Sequence, residues 1–96
     1  MFKPLVEFIG TFIFFSVILQ HGQAIPIAIA LAAVIYFGGS ISGGHYNPGV
    51  SFMMFLNGQL PMDQFLQYII VQLLAAAAAT YFNRFVAVQI ANNTTI

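Results

Sequence analysis

The chain has 96 residues, of which 60% are hydrophobic and only 4% are charged. Because soluble domains usually carry about 25% charged residues, this composition excludes an ordinary water-soluble domain and indicates an integral membrane protein. The formal net charge is zero and cysteine is absent, which argues against a nucleic-acid partner and against a disulfide framework.

The first predicted element is a membrane-spanning helix over about residues 4–20, which is apolar except for Glu7. A cleaved signal peptide starting at Met1 is an alternative, but Gln20 and the polar residues after it lack the small-residue pattern of a cleavage site. A carboxylate inside a span is costly and usually marks a function or a polar partner. Glu7 therefore either carries protons or cations, or accepts hydrogen bonds from loop amides, and we favour the second interpretation.

A second span is predicted over about residues 25–41, and about residues 42–57 follow it as a shorter element. This element contains Asn47, a favoured helix cap, and Pro48, a favoured first helical residue. Because Asn57 begins a turn, the helix has roughly ten residues and rises only about 15 Å, half of a ~30 Å hydrocarbon core. The pattern predicts a re-entrant loop and a half-helix whose N-terminus points into the membrane.

A third span is predicted over about residues 62–84, with Asp63 as its cap, and the polar residues 89–96 are expected to form a frayed tail. The predicted fold class is an all-α membrane protein with three transmembrane helices and one re-entrant half-helix, in a single domain of residues 1–96. Two acidic residues and two histidines form no catalytic or metal-binding pattern. We therefore expect no enzyme, no metal site and no cofactor.

Three stretches of the chain resemble the amino-terminal half of the aquaporin/aquaglyceroporin family. They are EFIGTF at residues 7–12, SGGHYNPGVS at residues 42–51 and QLLAA at residues 72–76. Members of that family carry two such halves in one chain, inverted relative to each other, and each half has an Asn-Pro-Ala half-helix. The resemblance covers one half only, and Gly49 stands where the family motif has alanine.

The resemblance implies a pore along one face of the chain. Its motif would be Asn47, Pro48 and Gly49, with the Asn47 amide facing permeating oxygen atoms at the midplane, while Glu7 would hold the loop. The implied ladder of pore carbonyl oxygens belongs to Gly43, Gly44, His45 and Tyr46. The implied pore wall and filter comprise Phe14, Ile27, Leu31, Ile35 and Val50.

One half alone would leave its loop carbonyls and half-helix tip facing lipid, which is costly. The expected partners are therefore the lipid bilayer and a second, inverted copy of the chain, and assembly of such dimers into a larger oligomer stays open. Lys3 and Arg84 should lie on opposite sides of the membrane, so the positive-inside bias is near zero and both orientations should insert.

The expected function is a passive, multi-pass channel of the cell membrane for water or small uncharged solutes such as glycerol. Two alternatives stay open. One is a dual-topology, proton-coupled exporter that uses Glu7 as its carrier group. The other is a non-conducting accessory subunit that packs against a full-length channel.

Overall fold

The computed structural model describes residues 2–94, so Met1 of the signal-peptide alternative and residues 95–96 of the predicted tail lie outside it. The described residues form four helices in the order α1 (Lys3–Gln20), α2 (Ala24–Ser42), α3 (Pro48–Leu56) and α4 (Met62–Thr94). They contain no strand. Three of the helices, α1, α2 and α4, are long and apolar enough to span a membrane. The predicted all-α class with three spans and one short helix is confirmed.

The short helix α3 begins and ends as its local sequence dictates. Asn47 has an extended backbone with φ −163°, and its side-chain oxygen accepts a hydrogen bond from the amide of Gly49. Pro48 takes the first helical position, where its missing N–H costs nothing. After nine residues the helix stops at Asn57, and Gly58 turns the chain with φ 77°. The chain therefore returns to the start of α4 without crossing the bilayer.

Helix α4 is longer than predicted, and the prediction of a frayed tail over residues 89–94 is wrong. It has 33 residues and so measures about 50 Å at 1.5 Å per residue. No glycine or proline follows Arg84, so nothing in the local sequence stops the helix. The hydroxyl of Thr94 also donates back to the carbonyls of the preceding turn. The last part of α4 therefore extends beyond the length of a ~30 Å hydrocarbon core.

Polar side chains lie in the centre of the bundle, and large apolar side chains lie on its surface. Helix α1 packs against both α2 and α4, and α3 packs against α4. Lipid exerts no hydrophobic force that would drive apolar side chains inward, so this distribution is the one expected in a bilayer. The buried polar side chains are those of Glu7, Thr11, Ser16, Ser42, His45, Ser51 and Gln72.

Candidate functional site

The loop between α2 and α3 turns through residues with positive φ. Gly43 (φ 96°) and Gly44 (φ 67°) adopt this left-handed conformation at little cost because they lack a Cβ atom. Tyr46 (φ 53°) also adopts it, although the conformation costs roughly 1–2 kcal/mol for a residue with a Cβ. Contacts from the rest of the fold must therefore hold Tyr46 in place.

Glu7 provides several of these contacts, since it is fully buried and accepts four hydrogen bonds. Its Oε2 atom accepts from the His45 amide at 3.0 Å and from the Ser42 hydroxyl at 2.6 Å. Its Oε1 atom accepts from the Tyr46 amide at 2.7 Å and from Nε2 of Gln72 at 3.0 Å. A carboxylate has only acceptor atoms, which suits four converging donors. These contacts are the ones expected if Glu7 accepts hydrogen bonds from loop amides rather than carrying protons or cations.

A second polar layer ties the loop and α3 to α4. Nε2 of Gln72 also donates to the Ser51 hydroxyl at 2.9 Å, and Nδ1 of His45 lies 2.9 Å from the same hydroxyl. The Tyr68 hydroxyl donates to the Ser42 carbonyl oxygen. The Tyr68 ring also packs edge-on against the His45 imidazole, with 5.2 Å between ring centroids. Through Glu7, Ser42, Ser51 and Gln72, all four helices and the loop therefore share one continuous hydrogen-bond network.

Sequence reasoning did not single out Ser51, Tyr68 or Gln72 as site residues. A signal for two of them exists in α4, where Tyr68, Gln72, Ala75 and Ala79 recur at the spacing of one helix face. All four are buried, with 1% or less of their surface exposed. Polar residues on a face that otherwise carries alanine indicate a contact with another polar element rather than with lipid.

The network lies well inside the spanning part of the chain, at a distance from the start of α4 that the helix rise gives. Gln72 follows Met62, the first residue of α4, by about ten residues, which corresponds to about 15 Å along the helix axis. That distance is about half of a ~30 Å hydrocarbon core. Because Gln72 bonds to both Glu7 and Ser51, the loop and the N-terminus of α3 lie at a similar depth.

The surface of the bundle at this depth is formed by the motif residues. Asn47, Gly49 and Gly43 are exposed, and Oδ1 of Asn47 accepts from the Gly49 amide at 2.7 Å. The hydrogen bonds of residues 43–46 use their amides and side chains; none between described residues ends on a carbonyl oxygen of this segment. The remaining motif and ladder residues are buried or half-buried, namely Gly44, His45, Tyr46 and Pro48.

The residues proposed for the pore wall lie on three helices. Half-buried side chains are those of Phe14, Ile27, Leu31 and Val50, whereas Ile35 is exposed. On α2, Ile27, Leu31 and Ile35 follow one another at intervals of four residues, and this row begins beside the buried Val34 and turns away from it toward the exposed Ile35. Their role as a pore wall stays a prediction.

Apart from Glu7, the charged residues lie toward the ends of the bundle. Lys3 and Asp63 line one surface cleft at the start of α1 and α4. At the other end the Gln20 side chain donates to Asn83, the neighbour of Arg84. One basic side chain therefore lies at each end of the spans.

Comparison with known proteins gives a consistent result. The family model described as Major intrinsic protein matches residues 16–96. Over 89 aligned positions the chain is 35% identical to "Glycerol uptake facilitator protein-like 6" of Lactiplantibacillus plantarum, covering 83% of this chain and 41% of that protein. It is 35% identical to "Probable aquaporin TIP1-1" of Oryza sativa subsp. japonica (84% and 40% covered). It is 42% identical to "Aquaporin-10" of Homo sapiens (70% and 20% covered).

The chain spans about two fifths of the length of the first two of these relatives. No solved structure matches it. The family match covers most of the chain, including the re-entrant loop and α3, so the resemblance seen in the motifs is confirmed. The chain thus belongs to the major intrinsic protein family of membrane channels and is itself an integral, multi-pass membrane protein.

Proposed function

We propose that the chain forms a passive channel for water and small uncharged solutes such as glycerol, with the pore between two inverted copies. The observation that carries this proposal is the exposed Asn47 amide at the N-terminus of the short helix α3, which we place at about half the depth of the membrane. An exposed polar tip at this depth is costly unless it lines a water-filled path. Relatives named as aquaporins and as a glycerol facilitator support the same solute class.

The local chemistry suits neutral solutes. The N-terminus of α3 carries about half a positive charge from the helix dipole, which repels cations. Carbonyl oxygens of residues 43–46 accept no hydrogen bond from other described residues. Gly43 and Gly44 are the more exposed of the four, so their carbonyl oxygens are the ones best placed to accept hydrogen bonds from hydroxyl groups that pass in single file. A neutral solute exchanges hydrogen bonds with water for hydrogen bonds with this path, whereas an ion loses its hydration shell.

The exposed loop and α3 tip need a cover, because each unpaired backbone group in lipid costs several kcal/mol. A second copy related by a twofold axis in the membrane plane supplies the same surface in return, as an isologous dimer does. With one basic residue at each end, Lys3 and Arg84, the chain has no orientation bias, and both orientations needed for such a dimer are accessible.

The proton-coupled exporter has less support. Glu7 is fully buried, and both of its carboxylate oxygens are engaged by hydrogen-bond donors from the loop, α2 and α4. A carrier group must be reached by protons from each side in turn, and these contacts block such access. The exporter would also leave the exposed Asn47 without a role.

Osmotic swelling of proteoliposomes that contain only the 96-residue chain tests the proposed function. We expect glycerol-driven swelling faster than that of protein-free liposomes, with no dependence on a proton gradient. Swelling at the protein-free rate would contradict the channel and favour the accessory subunit. A requirement for a proton gradient would favour the exporter.

The filter proposed from the family pattern is aliphatic. In an inverted pair it combines Ile27 of one copy with Ile35, Gly44 and Val50 of the other, and it contains no arginine, histidine or aromatic ring. A constriction lined by aliphatic side chains offers few donors to replace the hydrogen bonds that water loses on entry, but it suits the alkyl backbone of glycerol. We therefore expect modest water flux and weaker proton exclusion than in water-selective channels.

Replacement of Ile27 by phenylalanine tests this filter. Ile27→Phe should narrow both mouths of a symmetric pore and should reduce glycerol flux more than water flux. Ile29→Phe is a matched control, because Ile29 is 64% exposed and two residues further along α2, which turns it to the opposite side of the helix. Equal loss of both fluxes, or no loss, would remove Ile27 from the pore.

A negative charge at Asn47 should weaken cation exclusion. Asn47→Asp keeps an oxygen to cap α3 but places a carboxylate at the positive end of the helix dipole. A unit charge about 4 Å from a passing cation contributes about 4 kcal/mol at an effective dielectric of 20, so cation conductance should rise at least about tenfold. Planar-bilayer recordings measure this cation conductance. The control is Asn57→Asp, the same change at the other end of α3. Unchanged leak through correctly assembled protein would contradict a midplane position for Asn47.

A further inference from the structure

Tyr46 is held by more contacts than its place in a loop requires. It is 1% exposed, its backbone is left-handed, and its amide donates to Glu7 at 2.7 Å. Its hydroxyl donates to the Val34 carbonyl oxygen of α2 at 2.6 Å. The side chain therefore joins the residue before Asn47 to the middle of a spanning helix.

Two glycines make room for this side chain. A Cβ atom at Gly10 of α1 would overlap the Tyr46 ring. A Cβ atom at Gly38 of α2 would overlap the Tyr46 hydroxyl and would lie 2.7 Å from Cγ1 of Val6. Both helices therefore lack a side chain where the tyrosine passes, and the slot fits the ring together with its hydroxyl.

The ring borders a groove on the surface of the bundle. It lines an apolar groove of about 300 Å³ between α1 and α2, together with residues such as Ile9, Phe37 and Ile41. The groove lies on the outer side of the ring, so the glycine slot encloses the ring from the inner side. The hydroxyl contact to Val34 adds a directed hydrogen bond to this packing.

We propose that the Tyr46 hydroxyl is a latch that fixes the re-entrant loop to α2 and so positions the carbonyl oxygens of residues 43–46 and the Asn47 amide. Tyr46 is a positioning residue: it acts through the loop backbone rather than on a solute. The consequence for solute selection rests on the proposed channel, whereas the latch itself does not.

Hydrogen exchange of the loop tests the latch without any flux measurement. Tyr46→Phe keeps the ring and removes only the hydroxyl, so exchange of the amides in residues 43–47 should rise by about fivefold, as loss of one buried hydrogen bond predicts. Exchange in the middle of α4 should stay unchanged. Tyr36→Phe is the matched control on α2, because Tyr36 is 81% exposed. Loop exchange equal to that of the unmodified chain would overturn the proposal.

A double-mutant cycle tests whether the hydroxyl occupies the Gly38 slot. In a Val6→Ala background, which removes the second close neighbour, Gly38→Ala should lower the unfolding midpoint in detergent by about 5 °C or more. With Tyr46→Phe added, the nearest ring carbon lies 3.6 Å from the new methyl group, an ordinary contact, so most of this loss should disappear. Equal damage with tyrosine and phenylalanine would overturn the proposal.

Solute discrimination separates positioning from simple stabilisation. If the latch positions the pore, Tyr46→Phe should reduce the ratio of glycerol flux to the flux of a five-carbon polyol, at equal amounts of assembled protein. An unchanged ratio in a conducting variant would show that the hydroxyl only stabilises the fold, and would overturn the proposal. If the unmodified chain conducts neither solute, the proposed channel is wrong. Hydrogen exchange and the double-mutant cycle then still test whether the Tyr46 hydroxyl holds the loop.

Discussion

Two lysines added at the Lys3 end of the bundle should abolish the glycerol permeability of the chain while leaving it folded. Phe2→Lys with Gln59→Lys places three basic residues at that end against Arg84 alone at the other. The positive-inside rule then selects one orientation, and inverted pairs cannot form. Glycerol uptake by membrane vesicles from cells that express the variant should fall to the background rate.

The controls for this result separate orientation from damage to the fold. Phe2→Glu with Gln59→Glu changes the same positions, but acidic residues contribute little to orientation, so permeability should persist. Because the chain has no cysteine, Gln23→Cys reports its own side of the membrane through an impermeant maleimide. Labelling should be partial when Gln23→Cys is the only change, and all or none when Gln23→Cys is combined with the two lysines. A lysine variant of single orientation that conducts at the normal rate would contradict the inverted dimer.

Glu7→Gln should cost about 3 kcal/mol of stability, because an amide cannot accept from all four donors. In either orientation of the new amide, its NH₂ group faces the backbone N–H of His45 or of Tyr46. Gln72 can turn its side chain to adapt, since its Oε1 atom has no hydrogen-bond partner among the described residues, but a backbone amide cannot. A loop amide is therefore left unpaired, and the unfolding midpoint in detergent should fall.

Flux measured on the same Glu7→Gln protein completes the experiment. Whatever channel survives should conduct down a glycerol gradient without a proton gradient. Asp63→Asn is the matched control, since it removes the same charge from an exposed position at the start of α4 and should cost little. Intact folding of Glu7→Gln together with loss of gradient-driven transport would assign Glu7 to proton coupling instead.

The parts of the fold that could be predicted are those with a local cause. Asn47 and Pro48 start α3 through a cap and a preset φ angle, and the apolar stretches on either side are long enough to span. The end of α4 could not be predicted from polarity, because asparagine and threonine weaken a helix without stopping it. In the absence of glycine or proline the helix continues to Thr94.

The candidate site was predictable where one residue type is out of place, as Glu7 is in an apolar span. Its hydrogen-bond partner on α4, Gln72, is 65 positions away in the chain, and nothing local to Gln72 or to Tyr68 specifies the element that each contacts. Likewise, the slot for Tyr46 depends on glycines from two other helices. Such contacts depend on how the helices pack against one another, and this packing cannot be read from local patterns in a single sequence.

The most direct test of the inverted channel combines two variants that are each fixed in one orientation. Phe2→Lys with Gln59→Lys fixes one, and His21→Lys with Gln23→Lys, in the turn at the opposite end, fixes the other. Each should be silent when expressed alone, and co-expression should restore glycerol uptake by the vesicles. A mixture that stays silent while both proteins are folded and oppositely oriented would contradict a pore built from inverted copies of this chain.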